Sequence, residues 1–322
     1  MAVPANTRQV YTQPNIREDL SNKVFNVDPY ATPIMNCAGR AKAIATKHEW
    51  STDSLAAQNT ANAQLDGDDA ANDAIVEPVR LNNYTQISRK VLGISGSSQA
   101  VVASGGTNKM GYELLKASKA LKKDMEGTIT LNHASAVGAA GTARRSAGLP
   151  AWLKTNTVVN SGGTPAGANP ATADGTATRT YSGTTQTLTE DMVGQLATSM
   201  YTNSGESPEY FFVSPTNKRN VSKFTGPSGT RFNQIEDKVF HTAIDQYETD
   251  FGLIKVVPDI FLAQSGDCYA INPQYLRLAF LRPFATVPLA KTGDADRKML
   301  IVEYSLEVGN EKAEGAVFDT TG

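Results

Sequence analysis

"NVDPYATPIMNCAGRAKAIATKHEWSTDSLA", residues 26–56, decides how this chain is read. Pro29 and Pro33 stand four residues apart. Each fixes its own φ and pushes the residue before it towards extended backbone. A small-residue stretch follows. Then Ile44, Thr46, His48 and Trp50 fall on one face and Ala45, Lys47 and Glu49 on the other, which is the period of a strand. The chain thus lays down an extended segment before any sign of a core.

Working outward, the polar run "QLDGDDAANDA" (64–74), with Asp66, Asp68, Asp69 and Asp73, reads as a solvated loop tip. Alternation resumes in "IVEPVRLNNYTQISRKVLGI" (75–94). Val79, Leu81, Asn83, Thr85, Ile87 and Val91 share one phase; Arg80, Asn82, Tyr84, Gln86, Ser88 and Lys90 share the other. Pro78 is tolerated at a strand start or edge. The two runs predict a long two-stranded ribbon of about 45 Å with an acidic tip. Neither face is apolar enough for a core, and an isolated ribbon is marginal in water, so it is expected to lie on another subunit. Upstream, "NIREDLSNKVFNV" (15–27) predicts a short helix with Leu20 and Val24 on one face and Arg17, Glu18 and Asp19 in its first turn.

Downstream, "SGSSQAVVASGGT" (95–107) reads as a hinge. A helix is expected over 108–132, because Met110, Leu114, Ala117, Leu121 and Met125 step by four, three, four and four. Residues 134–187 are rich in Gly, Ala, Thr and Asn, with only "GLPAWL" and "TVV" as apolar anchors. So long a structureless run is unusual inside a domain. It is expected to be a flexible insertion or a segment ordered by neighbours. A more regular α/β region follows: a helix with Met192, Leu196 and Met200, the strand "PEYFFVSP", a helix opened by Pro215, and the strands "VFHTAIDQYET", "FGLIKVVPDIFL" and "CYAINPQYLRLAFL". "KMLIVEYSLEVGN" and "GAVFD" close the chain as strands.

The 322 residues allow one large or two modest domains, with 40% hydrophobic and 19% charged residues. The formal net charge of −2 excludes a protein whose affinity rests on neutralising phosphates. Cys37 and Cys268 match no metal spacing and are expected as free thiols in a reducing compartment. The N-terminus has no apolar signal core, and the best apolar stretch, "FGLIKVVPDIFLA", is too short to span a bilayer. Catalytic signatures are missing. There is no Walker-A loop and no GxSxG elbow, and His48, His133 and His241 are scattered. The acidic tip fails the calcium-loop pattern. No cofactor, metal or catalytic residue is expected.

The stretches "REDLSN", "DPYATPIMNCAGRAKA", "HEWSTDSLA", "YAINPQYLRLAFLRPF" and "EYSLEVGNEKAEGAV", in an order of arm, ribbon, helix, α/β region and closing strands, resemble the major capsid proteins of tailed bacteriophages with the Hong Kong 97-like α+β fold. The resemblance implies an N-arm at 1–41 and an extended E-loop at 42–95. It implies a peripheral domain at 96–187 and 289–322 with its spine helix at 108–132, and an axial domain at 188–288. It further implies a non-enzymatic subunit that assembles into hexamers and pentamers, with a scaffolding protein, a portal and a decoration protein as partners. Packaged double-stranded DNA is then a non-specific neighbour and no membrane is involved. Assembly is expected in the host cytoplasm. Some members of that family crosslink through a Lys and an Asn; Lys42, Lys47 and Lys90 flank the loop, and no motif nominates one. The inter-subunit contact candidates are His48, Trp50, Asp68, Asp69, Arg80, Tyr84 and Arg89, with Arg17 and Glu18 on the arm. The competing readings are an encapsulin-like nanocompartment shell, a soluble enzyme with its site in 188–288, and a tail or decoration protein.

Overall fold

A computed structural model describes residues 31–64, 66–67, 72, 75–101, 109–224, 245–263, 265–291 and 293–322. The expected helix at 15–27 and the first part of the expected strand at 239–249 lie outside the described residues.

Three sheets organise the described residues. The first has the order β1-β10-β11-β4. It is built from β1 (Gly39–Lys42), β4 (Gln86–Ser95), β10 (Leu276–Leu289) and β11 (Ala295–Val308). β1 is parallel to β10, and the other pairs are antiparallel. The second sheet combines β5 (Thr157–Val158), β6 (Tyr210–Val213), β7 (Gln246–Thr249), β8 (Gly252–Pro258), β9 (Cys268–Ile271) and β12 (Gly315–Val317) in the order β5-β12-β9-β6-β8-β7. The third is a ribbon of β2 (Lys47–Thr52) and β3 (Val79–Tyr84).

Among the described residues five helices fill the gaps: α1 (Pro33–Cys37), α2 (Gly96–Ala100), α3 (Lys109–Thr130), α4 (Glu190–Ser204) and α5 (Pro215–Val221). α3 follows the expected stripe. Ala117, Leu121, Met125 and Ile129 are buried, while Met110 and Leu114 at its start are half-buried. α4 stops where Gly205 takes a left-handed φ of 75°, the usual helix C-terminal device. α5 begins with Pro215 at its first position, and the Ser214 side chain accepts from Asn217 N at 3.1 Å.

Two apolar clusters result. One gathers Ile34 and Met35 of α1, Leu121, Met125 and Ile129 of α3, Trp152, and Leu278, Val302, Tyr304 and Leu306 of the first sheet. The other packs Val193, Leu196 and Met200 of α4 on Phe211, Val213, Ile254 and Val256 of the second sheet.

Sheet membership departs from the boundaries drawn on the sequence. Residues 276–288, placed in the axial segment, pair along β11 in the first sheet. Gly315–Val317, placed with the peripheral strands, pairs with β5 and β9 in the second. Hydrogen-bond register joins strands across sequence distance, so contiguous boundaries could not capture it.

The reading of 134–187 is corrected more strongly. The chain itself orders this stretch. Leu149, Ala151, Trp152 and Leu153 are buried in the first cluster. Short bridges join Ala136 to Arg145 and Ala168 to Thr180. Arg179, 3% exposed, pairs with Asp267 at 3.4 Å and Asp319 at 2.8 Å, its guanidinium 3.8 Å from the centre of the Phe318 ring. Burial raises Asp267 to about 6, against the pull of Arg179. Gly175, with φ of 73°, lies against Trp152; a β-carbon there would come within 2.6 Å of the indole. Small and polar residues here serve close approach and side-chain-to-backbone bonding rather than looseness.

Candidate assembly interface

The ribbon is shorter than expected. β2 and β3 pair over six residues each, from Lys47↔Tyr84 to Thr52↔Val79, about 20 Å at the usual rise. The second run divides at Thr85. Its N–H donates to Thr46 O at 2.8 Å, and its hydroxyl donates to Glu303 at 2.8 Å. Across this break the inward phase changes. Leu81, Asn83 and Thr85 face inward before it; Gln86, Ser88, Lys90, Leu92 and Ile94 do so after it. Ile87 and Val91, read on the same phase as Leu81 and Asn83, are therefore exposed. Ile44 lies between β1 and β2 and is also exposed.

The base of the ribbon is fixed to its own chain, which corrects the expectation that the whole ribbon rests on a neighbour. Trp50 packs on Trp152 with ring centroids 5.4 Å apart, and its indole N–H donates to Val308 O at 3.0 Å. His48 Nε2 lies 3.0 Å from Glu307 Oε2, and its ring is 5.6 Å from Trp50. Asn83, fully buried, donates to Leu306 O at 2.7 Å and to Ser146 Oγ at 3.1 Å, and accepts from Ala147 N at 3.0 Å and Tyr84 N at 2.9 Å. Glu303 accepts from Thr85, Arg144 and Arg282 at 2.8, 2.8 and 2.7 Å. Burial opposes its ionisation most strongly, but these donors together outweigh it and hold the carboxyl below its ordinary value.

Beyond the base the surroundings change. Residues 54–64 and 75–80 are exposed throughout. Leu55 and Ile75 are 98% and 89% exposed, and Val79 is 60% exposed. On the outer face of the first sheet, Ile87, Gly138, Thr142 and Arg144 line a hollow of about 370 Å³, with Val137 at its rim.

The contact candidates fall into three groups. His48, through Nε2, and Trp50, through Nε1, bond inside the chain. Arg80 is exposed, 3.9 Å from Glu49; Arg89 is exposed on β4, and Tyr84 is half-buried opposite Lys47. Arg17, Glu18, Asp68 and Asp69 lie outside the described residues. Sequence reasoning missed Asn83, Thr85, Ser146 and Glu303. The signal available was a polar pair, Asn83 and Thr85, on the phase shared with Leu81.

No cluster of His, Cys, Asp or Glu among the described residues could hold a metal ion. No helix among them is long and apolar enough to cross a membrane.

The family model described as SU10 major capsid protein matches residues 3–321. A major capsid protein of Escherichia phage Phieco32 is 29% identical over 116 residues, covering 36% of this chain and 33% of that protein. The chain thus matches about a third of that relative's length. Among solved structures, the cyanophage A-1(L) capsid asymmetric unit aligns with a TM-score of 0.63 at 14% identity, covering 95% of this chain and 98% of that one. A chain from Mycobacterium phage Adephagia aligns at 0.61 and 9% identity over 98% of each. The capsid of Myoviridae phage XM1 aligns at 0.56 and 9% identity over 94% of this chain and 96% of that one. At such identities the structures speak for a shared α+β fold, and the family match reaches almost end to end: the chain belongs to the SU10 major capsid protein family.

Proposed function

We propose that the chain is the structural subunit of a tailed-phage head of the Hong Kong 97 type, assembling with copies of itself into hexamers and pentamers. The observation that carries this reading is the contrast within the ribbon. A base anchored by buried hydrogen bonds presents a tip whose Leu55 and Ile75 side chains are 98% and 89% exposed. Exposed apolar side chains on a projecting loop are costly unless a partner covers them.

On this reading residues 42–84 reach a neighbouring subunit, α3 is the spine helix, and the first sheet forms the peripheral body. The second sheet with α4 and α5 is the axial part. Residues 1–41 act as an N-arm. Scaffolding, portal and decoration proteins are its partners, assembly takes place in the host cytoplasm, and packaged DNA is a neighbour held without a basic lining. The test is deletion of residues 54–76. Full-length protein, with scaffolding protein if required, should give rings, tubes or closed shells in negative-stain microscopy. The deleted chain should stay folded and unassembled. Normal shells from the deleted chain would sink the loop's role; a full-length chain that remained monomeric with scaffold would sink the capsid reading.

A further inference from the structure

Two buried acids meet at the seam between the apolar clusters. Glu126 on α3 is fully buried. Its Oε1 accepts from Ile34 N at 2.8 Å and its Oε2 from Met35 N at 2.9 Å, so it holds the first turn of α1. Asp259 directly follows β8 and is 1% exposed. Its Oδ1 accepts from Phe261 N at 2.9 Å, while its own N–H donates to Val213 O at 2.8 Å. The two carboxyls lie within hydrogen-bonding reach of each other, and neither joins an ion pair among the described residues. With both ionised, Asp259 Oδ2 has no hydrogen-bond partner. With both charged, two carboxylates buried side by side repel, and three backbone N–H donors do not replace the lost hydration.

We propose that Glu126 and Asp259 form a proton latch: one proton, carried by Glu126 and donated to Asp259 Oδ2, closes the joint between α3 and the turn at Ile260–Ala263, and its loss loosens that joint. No covalent bond changes; the proton passes to water on opening.

Burial, then the charge of Asp259, raises Glu126 to about 8, and burial raises Asp259 as well. Cys37, at the end of α1, also feels the charge of Glu126. Burial first, then Glu314, Glu209 and Glu126, push its thiol up to about 12, against a lowering by Lys255, so it stays neutral through the relevant range. Opening restores ordinary carboxyls. The latch is therefore firmest below the usual carboxylate range and weakens as pH rises from about 4.5 towards 8, above which the effect levels off. The joint links the cluster containing α3 to the strand β6, which carries residues of both clusters. A single chain thus has a built-in place to flex. The latch is a property of the subunit and stands or falls independently of the shell reading.

The test is hydrogen exchange of the full-length chain at pH 5, 6, 7 and 8, corrected for the chemical exchange rate, reading residues 259–263 and 32–38. Wild-type protection at 259–263 should fall by on the order of a hundredfold between pH 5 and 8. Glu126→Gln, whose amide can donate to Asp259 at every pH while giving up one of the two bonds accepted from α1, should remove that dependence at 259–263, and Asp259→Asn should do the same. A flat wild-type profile would overturn the latch whatever the variants do. So would a folded E126Q or D259N that followed the wild-type slope.

Discussion

The two ends of one ribbon obey different physics. At its base, β2 and β3 are half-buried, and each polar group named there has a partner within the chain: Trp50 on Val308, His48 on Glu307, Asn83 on Leu306 and Ala147. At its tip, Leu55, Ile75 and Val79 stand in the open. The base contributes to the stability of one subunit. The exposed tip contributes little to it. On the proposed function the tip finds its partner on a second subunit, and the ribbon joins a rigid root to an end left open.

That comparison breaks most easily at Trp152, on which the base rests. Trp152→Ala should lower the unfolding free energy of the unassembled chain by about 3–5 kcal/mol, read by denaturant melts, because a wholly buried indole leaves a cavity. A loss under about 1 kcal/mol would mean that the base is not anchored there.

Glu303 gives the next largest effect. Glu303→Gln should cost about 1–3 kcal/mol, since the amide cannot accept from Thr85, Arg144 and Arg282 at once. Arg282 is half-exposed and can turn to water, which keeps the figure modest. The folded-state carboxyl lies below its ordinary 4.5. Its contribution is therefore whole above about pH 4.5 and is lost as pH falls through the folded value. The variant should show a shallower loss of stability in acid than the parent. Equal slopes would remove Glu303 from the acid response.

Asn83→Ala should cost about 1–3 kcal/mol by orphaning Ala147 N and Leu306 O. Asn83→Asp keeps the acceptors but loses the donor to Leu306, so it should not restore the parent's melting temperature.

The smallest expected effect on the subunit sharpens the contrast. Leu55→Ser with Ile75→Ser should move the stability of the unassembled chain by no more than about 0.5 kcal/mol, as for exposed sites in general, yet abolish or greatly slow assembly in a sedimentation assay. A stability loss of several kcal/mol would show that the tip packs on its own chain after all.

Much of the fold was legible because its signals are local. The α3 stripe, the Pro215 start of α5 and the strand-forming run of β11 each follow from a few neighbouring residues. The phase change at Thr85 was not legible. A buried threonine bonded to Glu303, 218 residues away, sets it, and a continuous alternating run carries no mark of such a partner. The 134–187 stretch failed for a related reason. Its composition matches a flexible linker, but Arg179 finds Asp267 and Asp319, and Gly175 admits the Trp152 ring. Low hydrophobicity says little about order when polar side chains saturate the backbone.

By itself, then, the sequence determined the elements and their kind: early extended strands, one long helix, an α/β region and closing strands. Periodicity and capping act over a few residues and are written in order along the chain. Only the tertiary structure decided which strands share a sheet, where the inward phase reverses, and that Glu126 meets Asp259. Those depend on contacts between residues far apart in sequence, where geometry, burial and the sharing of a proton settle outcomes that no local pattern encodes.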